Sequence, residues 1–134
     1  MQFKDRLNAV RRVLEAACYE GHDILIFGKG QYLKLVEKLV FSLSELYFPG
    51  HALMLQEEPT VKVFFQGGGQ VVVVDADKRR QRGMRYLESA GGFDTILIVE
   101  DKRGELIVET RDLIVPLMAR KHNTMLSILG ESLD

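Results

Sequence analysis

The sequence predicts an α/β fold: a three-layer α/β/α sandwich with a mainly parallel sheet of about five strands, in one domain spanning residues 1–134. Three observations carry that expectation. The runs at 24–27, 71–74 and 96–99 are short and continuously apolar, as strands covered on both faces are. Segments with apolar residues at every third or fourth position alternate with them, as crossover helices do. A length of 134 residues, with 46% hydrophobic and 28% charged residues, is ordinary for one globular domain.

Each element follows from local pattern. Phe3, Leu7, Val10, Leu14 and Ala17 recur at steps of four and three, while Asp5, Arg6, Arg11, Arg12 and Glu15 fill the other face. This predicts an amphipathic helix ending near Gly21. Asp23-Ile24-Leu25-Ile26-Phe27 reads as a buried parallel strand closed by Gly28-Lys29-Gly30. Leu33, Val36, Val40, Leu43 and Tyr47 mark a second helix, with Leu35, Leu39 and Leu46 widening its apolar face until Pro49-Gly50 stops it. A short strand over 52–55, a break at Glu57-Glu58-Pro59 and an apolar run over 61–65 precede Gly67-Gly68-Gly69. Val71-Val72-Val73-Val74 is the clearest strand, since four β-branched residues suit a pleated sheet better than a helix. A charged loop from Asp75, a helix holding Met84, Tyr86 and Leu87 up to Gly91-Gly92, and a strand over 93–99 follow. After the Lys102-Arg103-Gly104 turn, short runs are expected at 105–108 and 113–115, the second closed by Pro116, and then a final helix over 117–129.

Composition excludes several functions. The 18 Lys and Arg nearly cancel the 19 Asp and Glu, so the net charge of -1 gives no general attraction to nucleic acid or an anionic membrane. Cys18 is the single cysteine, and the three histidines are scattered, so no disulfide, metal site or cofactor is expected. No apolar run approaches the ~20 residues of a membrane span, and the amino terminus lacks the pattern of a signal peptide. A cytoplasmic protein is the expectation.

In parallel sheets of this class, ligands bind outside the carboxyl ends of the strands. Those ends here carry residues 28–31, 75–82, 100–103 and 116 onward. Gly28-Lys29-Gly30 brings backbone amides toward that edge, an arrangement that a plain strand-to-helix turn explains equally well. It is not a nucleotide fingerprint, because the third glycine would fall on Leu33. Lys78, Arg79, Arg80 and Arg82 form a basic cluster suited to a phosphate or an acidic partner, or simply to solvent.

The segment from Gly21 to Gly30, in which a glycine-ended strand lies between two helices, resembles the start of a sugar isomerase (SIS) domain. The likeness continues through Val71-Val72-Val73-Val74, the loop to Arg82, Ser89-Ala90-Gly91 and the strand over 95–99. Arg111-Asp112-Leu113-Ile114-Val115-Pro116 and the segment holding His122, Met125, Leu126 and Leu129 look like the family's closing strand and helix. The phosphoheptose isomerase branch is nearest in shape. The resemblance implies a cleft for a sugar phosphate or another phosphorylated small molecule, with Gly28, Lys29, Gly30, Gln31, Asp75, Lys78, Arg79 and Arg82 near the ligand. It also implies Glu45 as base and His122 as second acid/base group for aldose–ketose interconversion. The chain departs from the family where phosphate is held: Gly30-Gln31-Tyr32 and the Asp75–Arg82 loop lack the usual Ser and Thr hydroxyls. That departure favours a binding or regulatory role without isomerisation, with a divergent isomerase and a ligand-free interaction subunit as alternatives. The apolar surplus of Leu33, Leu35, Leu39, Phe41 and Phe48 points to either a homodimer or higher oligomer or an intramolecular core.

Overall fold

The computed structural model describes residues 3–47, 52–57, 60–76, 87, 91–102, 106 and 110–131. The first apolar stripe forms α1 (Phe3–Glu20), which buries Val10, Val13, Leu14 and Ala17. β1 (Asp23–Gly28) follows, buried from Ile24 onward, and α2 (Gly30–Tyr47) buries Leu33, Val36, Val40 and Leu43 at the expected spacing. Tyr47 and Leu46, placed on the same face by the sequence pattern, are instead exposed, and Leu33 belongs wholly to the intramolecular core. Phe48 lies outside the described residues.

The middle of the chain adds a hairpin. β2 (Ala52–Glu57) and β3 (Thr60–Phe65) are joined by only two residues, a connection that permits antiparallel pairing alone. β3 turns through residues 66–69 into β4 (Gln70–Asp75), again antiparallel. Gly69 is required in that turn, since any side chain there runs into the Ala17 carbonyl of α1. β5 (Thr95–Lys102), α3 (Arg111–Ala119) and β6 (Met125–Glu131) complete the described elements. Among the described residues the sheet has six strands in the order β2-β3-β4-β1-β5-β6, one more than expected. β4, β1, β5 and β6 are mutually parallel.

Side-chain alternation along the central strands divides the core between two faces. Ile24, Ile26, Val71, Val73, Leu97 and Val99 pack against α1 and α2. Leu25, Phe27, Val72, Val74, Ile96 and Ile98 pack against Ile114 and Leu117 of α3 and against Leu87 and Leu106. Helices therefore lie on both sides of the sheet. Among the described residues, no helix is long and apolar enough to cross a membrane.

The carboxyl-terminal third reverses the expected order of elements. The run at 113–115, expected as a strand, lies inside α3, and Pro116 sits within that helix instead of closing a strand. The cause is periodicity: Ile114 and Leu117, three apart, are buried, while the intervening Val115 is exposed. Conversely, the expected helix over 117–129 gives way after α3 to β6, where Leu126 and Ile128 face the α3 core and Leu129 the opposite one. The closing strand and helix implied by the family resemblance are thus a helix and a strand. Of the run at 105–108, only Leu106 is described, and it is helical. The helix expected around 84–90 falls outside the described residues except for the buried, helical Leu87.

Candidate functional site

β1 lies between β4 and β5, and β1 and β5 send their chains to opposite faces. From β1 the chain enters α2 on one face, whereas the β5-to-β6 connection carries α3 on the other. Open α/β sheets bind ligands where neighbouring connections diverge in this way, here at the carboxyl ends of β1 and β5.

Backbone contacts define that end of the sheet. Gly28 pairs with Asp75 on one side and Val99 on the other, and any side chain on Gly28 collides with the Val99 carbonyl. The Lys29 amide donates to the Val99 carbonyl (3.1 Å), and the Ala76 amide donates to the Gly28 carbonyl (2.7 Å). Gly30 adopts φ +85°, a left-handed conformation that favours glycine, and starts α2 immediately. The first amides of α2 then point outward without intrahelical partners.

Asp101 of β5 satisfies them. Its Oδ1 accepts from the Tyr32 amide (3.0 Å) and its Oδ2 from the Gln31 amide (3.3 Å). A carboxylate of the protein itself thereby takes the position at a helix amino end where a bound anion would sit. A side chain on Gly30 would meet the same carboxylate. Arg6 of α1 lies 5.6 Å from the Tyr32 ring centroid and ties α1 to this corner.

Glu100, one residue earlier, projects to the other face of β5 and is only 1% exposed. Its Oε1 accepts from the Leu106 amide (2.9 Å), while Oε2 is buried without a hydrogen-bond partner. The sequence reading placed residues 100–103 at this end of the sheet but gave neither Glu100 nor Asp101 a role. The available signal was parity: a carboxylate pair directly after a buried strand must place one member on each face of the sheet.

The structure gathers some of the expected residues and separates others. Gly28, Lys29, Gly30 and Gln31 meet at the amino end of α2, with half-buried Asp75 beside them in the ladder. Lys78, Arg79 and Arg82 lie outside the described residues. Glu45 is exposed near the end of α2, and His122 is exposed between α3 and β6. Since α2 runs back against β1, and since His122 precedes β6, both lie toward the amino ends of the parallel strands. They are not at the Gly28–Asp101 end.

At that amino end a different carboxylate is held. Asp94 Oδ2 accepts from the Asp23 amide (2.7 Å), and Lys121 Nζ lies 3.0 Å from Asp94 Oδ1 and 3.8 Å from Asp23 Oδ2. Burial pushes the Asp94 carboxyl up, but the Asp23 amide and the Lys121 ammonium outweigh it, leaving it below the usual carboxylate range. The same hydrogen bond to Asp94 holds the Lys121 ammonium above its ordinary value. Among the described residues, no group of three or more His, Cys, Asp or Glu side chains converges to hold a metal ion. Compared with known proteins, the chain matches no family model and no curated sequence.

Proposed function

We propose that the chain is a SIS-like binding or regulatory domain without isomerase activity, in which Asp101 competes with a phosphorylated ligand for the amino end of α2. The carboxylate of Asp101 on the Gln31 and Tyr32 amides carries this reading. Those amides are what a phosphate would use, and the Ser and Thr hydroxyls that would strengthen its hold are missing from Gly30-Gln31-Tyr32. Binding then requires displacement of Asp101, so the domain responds to a ligand by rearranging one strand end and one helix start. Aldose–ketose chemistry needs a base and a proton donor at the bound sugar, and Glu45 and His122 stand at the other end of the strands. The family likeness then rests on Gly21–Gly30, the segment from Val71 to Gly91 and the strand over 95–99, because the last helix and strand occur in the opposite order to that expected.

Thermal unfolding against hexose and heptose phosphates tests this reading. Wild-type protein is expected to show a small shift and Asp101→Ala a larger one at the same ligand concentration, approaching the ~2.7 kcal/mol expected at 100 times the dissociation constant. Neither protein should interconvert aldose and ketose phosphates. Turnover by the wild type that Glu45→Gln abolishes would make the chain a divergent isomerase. Absence of a shift in both proteins would leave a ligand-free interaction subunit.

A further inference from the structure

β5 carries one residue more than its neighbour at the end where Asp101 lies. Val99 pairs with Leu129 and Lys102 with Glu131, so Gly130 of β6 alone faces both Glu100 and Asp101. Bulges of this kind are rare between parallel strands; they re-aim side chains and are found beside functional sites. This one holds two adjacent carboxylates.

Each carboxylate holds the start of a helix, on a different face of the sheet. Asp101 accepts from the Gln31 and Tyr32 amides at the start of α2. Glu100 Oε1 accepts from the Leu106 amide (2.9 Å). The Leu106 carbonyl in turn accepts from the Thr110 amide (2.9 Å) and hydroxyl (2.7 Å), and the Thr110 carbonyl from the Leu113 and Ile114 amides (both 3.0 Å) in the first turn of α3. Glu100 is therefore linked to α3 as Asp101 is to α2. The two holds differ in strength. Asp101 uses both of its oxygens, whereas Glu100 Oε2 is buried with no hydrogen-bond partner, which leaves the inner hold on Oε1 alone.

The two side chains do not move separately. Their Cα atoms are ~3.8 Å apart across one planar peptide. The extra residue they share is out of the ladder, so no strand pairing there fixes one while the other shifts. We infer that the β5 bulge is a two-sided clasp: release of Asp101 from α2 loosens the hold of Glu100 on the α3 side, and the reverse. Glu100 is thus a positioning residue for the amino end of α2, acting through Asp101. Any event that takes Asp101 off α2 is reported to the opposite layer. The coupling belongs to the chain without ligand and does not depend on phosphate binding.

Residue-resolved amide exchange of the full chain tests the clasp. Asp101→Ala should speed exchange of the Leu106 amide by at least about fivefold, the low end of coupling between sites, although the Leu106 amide is held by Glu100 and not by Asp101. Glu100→Leu should speed exchange at Gln31 and Tyr32 to a similar degree, because coupling is reciprocal. Glu100→Gln keeps an oxygen for the Leu106 amide and should restore both toward the wild-type rate. The Asp23 amide, held by Asp94 at the other end of the strands, should keep its rate in all three variants. Asp101→Ala replaces an exposed side chain and is expected to keep the fold, so it reads the coupling even where Glu100→Leu does not fold. Leu106 exchange unmoved by Asp101→Ala, Gln31 and Tyr32 unmoved in folded Glu100→Leu, or equal acceleration at Asp23 overturns the clasp.

Discussion

Two aspartates bracket β5, and they differ in what surrounds them. Asp94, just before the strand, grips the first amide of β1, while Asp101, near its end, grips the first amides of α2 directly after β1. Each uses a carboxylate on backbone N–H groups across the same strand pair. At Asp94 the lysine of the α3–β6 connection neutralises the charge, and the backbones of β1 and β6 close around it: the Asp94 amide donates to the Asp23 carbonyl and the Met125 amide to the Asp94 carbonyl. At Asp101 the side chain is exposed, and no ion pair with it occurs among the described residues. On the proposed reading, the contrast separates a fixed contact from one that a stronger anion can replace. Among the described residues, what distinguishes them is the counter-charge and the cover, since the carboxylate–amide contact itself is the same.

Variants that break each end should show that difference. The largest effect is expected from Gly28→Val, which forces β1 away from the Val99 carbonyl and so removes the spacing on which the Asp101 contact depends. Urea unfolding should show a loss of about 3 kcal/mol or more, with the helix cap lost at the same time. Asp94→Ala comes next. It leaves the Asp23 amide without its partner and Lys121 without its nearest one, for a loss of about 2 kcal/mol in the same measurement. Asp101→Ala should cost only about 1 kcal/mol, the usual scale of a helix cap, and is the one variant of the three expected to gain anion affinity. If Asp101→Ala proves as damaging as Asp94→Ala, the distinction between fixed and replaceable contacts fails.

The smallest effect is in pH dependence. Because the folded-state pKa of Asp94 is lowered, its contribution is present above the ordinary value of about 3.9 and disappears as pH falls through the folded value. Asp94→Asn should therefore flatten the acid limb of a plot of stability against pH. Lys121 has the opposite sign: its pKa is raised, so its contribution is present below about 10.4 and is lost as pH rises through the folded value. Lys121→Met should correspondingly flatten the alkaline limb, as read by urea unfolding at a series of pH values.

The central sheet was readable because its strands are buried on both faces and therefore apolar at every position, as in Ile24 to Phe27 and Val71 to Val74. Helices α1 and α2 were readable from their 3.6-residue stripe. The end of the chain was not, because proline acted as misleading punctuation. Pro116 is the sixth residue of α3, where the burial of Ile114 and Leu117 against Phe27 and Ile98 holds the helix despite the missing N–H. β6 was hidden for a related reason: Leu126 and Leu129 fit a helical spacing, whereas in the strand Leu126 and Ile128 share one face and Leu129 takes the other. For the site, the glycine turn at 28–30 announced a helix start at the carboxyl ends of the strands, but its occupant lies 70 residues away along the chain. No local pattern reports such a pairing. The strand order that brings β5 beside β1 creates it.

That strand order also governs assembly of the fold in time. The strand at the middle of the sheet is the first to be made, yet both of its neighbours come late: Ile24 pairs with Val71 and with Thr95. During synthesis, β1 must wait for about half the chain before it gains its first strand partner, covered meanwhile only by α1 and α2. High sequence separation of this kind slows folding, because loop closure precedes any reward from strand pairing. The amides of 24–27 should be the last to form protected hydrogen bonds in pulse-labelled refolding and, once formed, should exchange only through global unfolding.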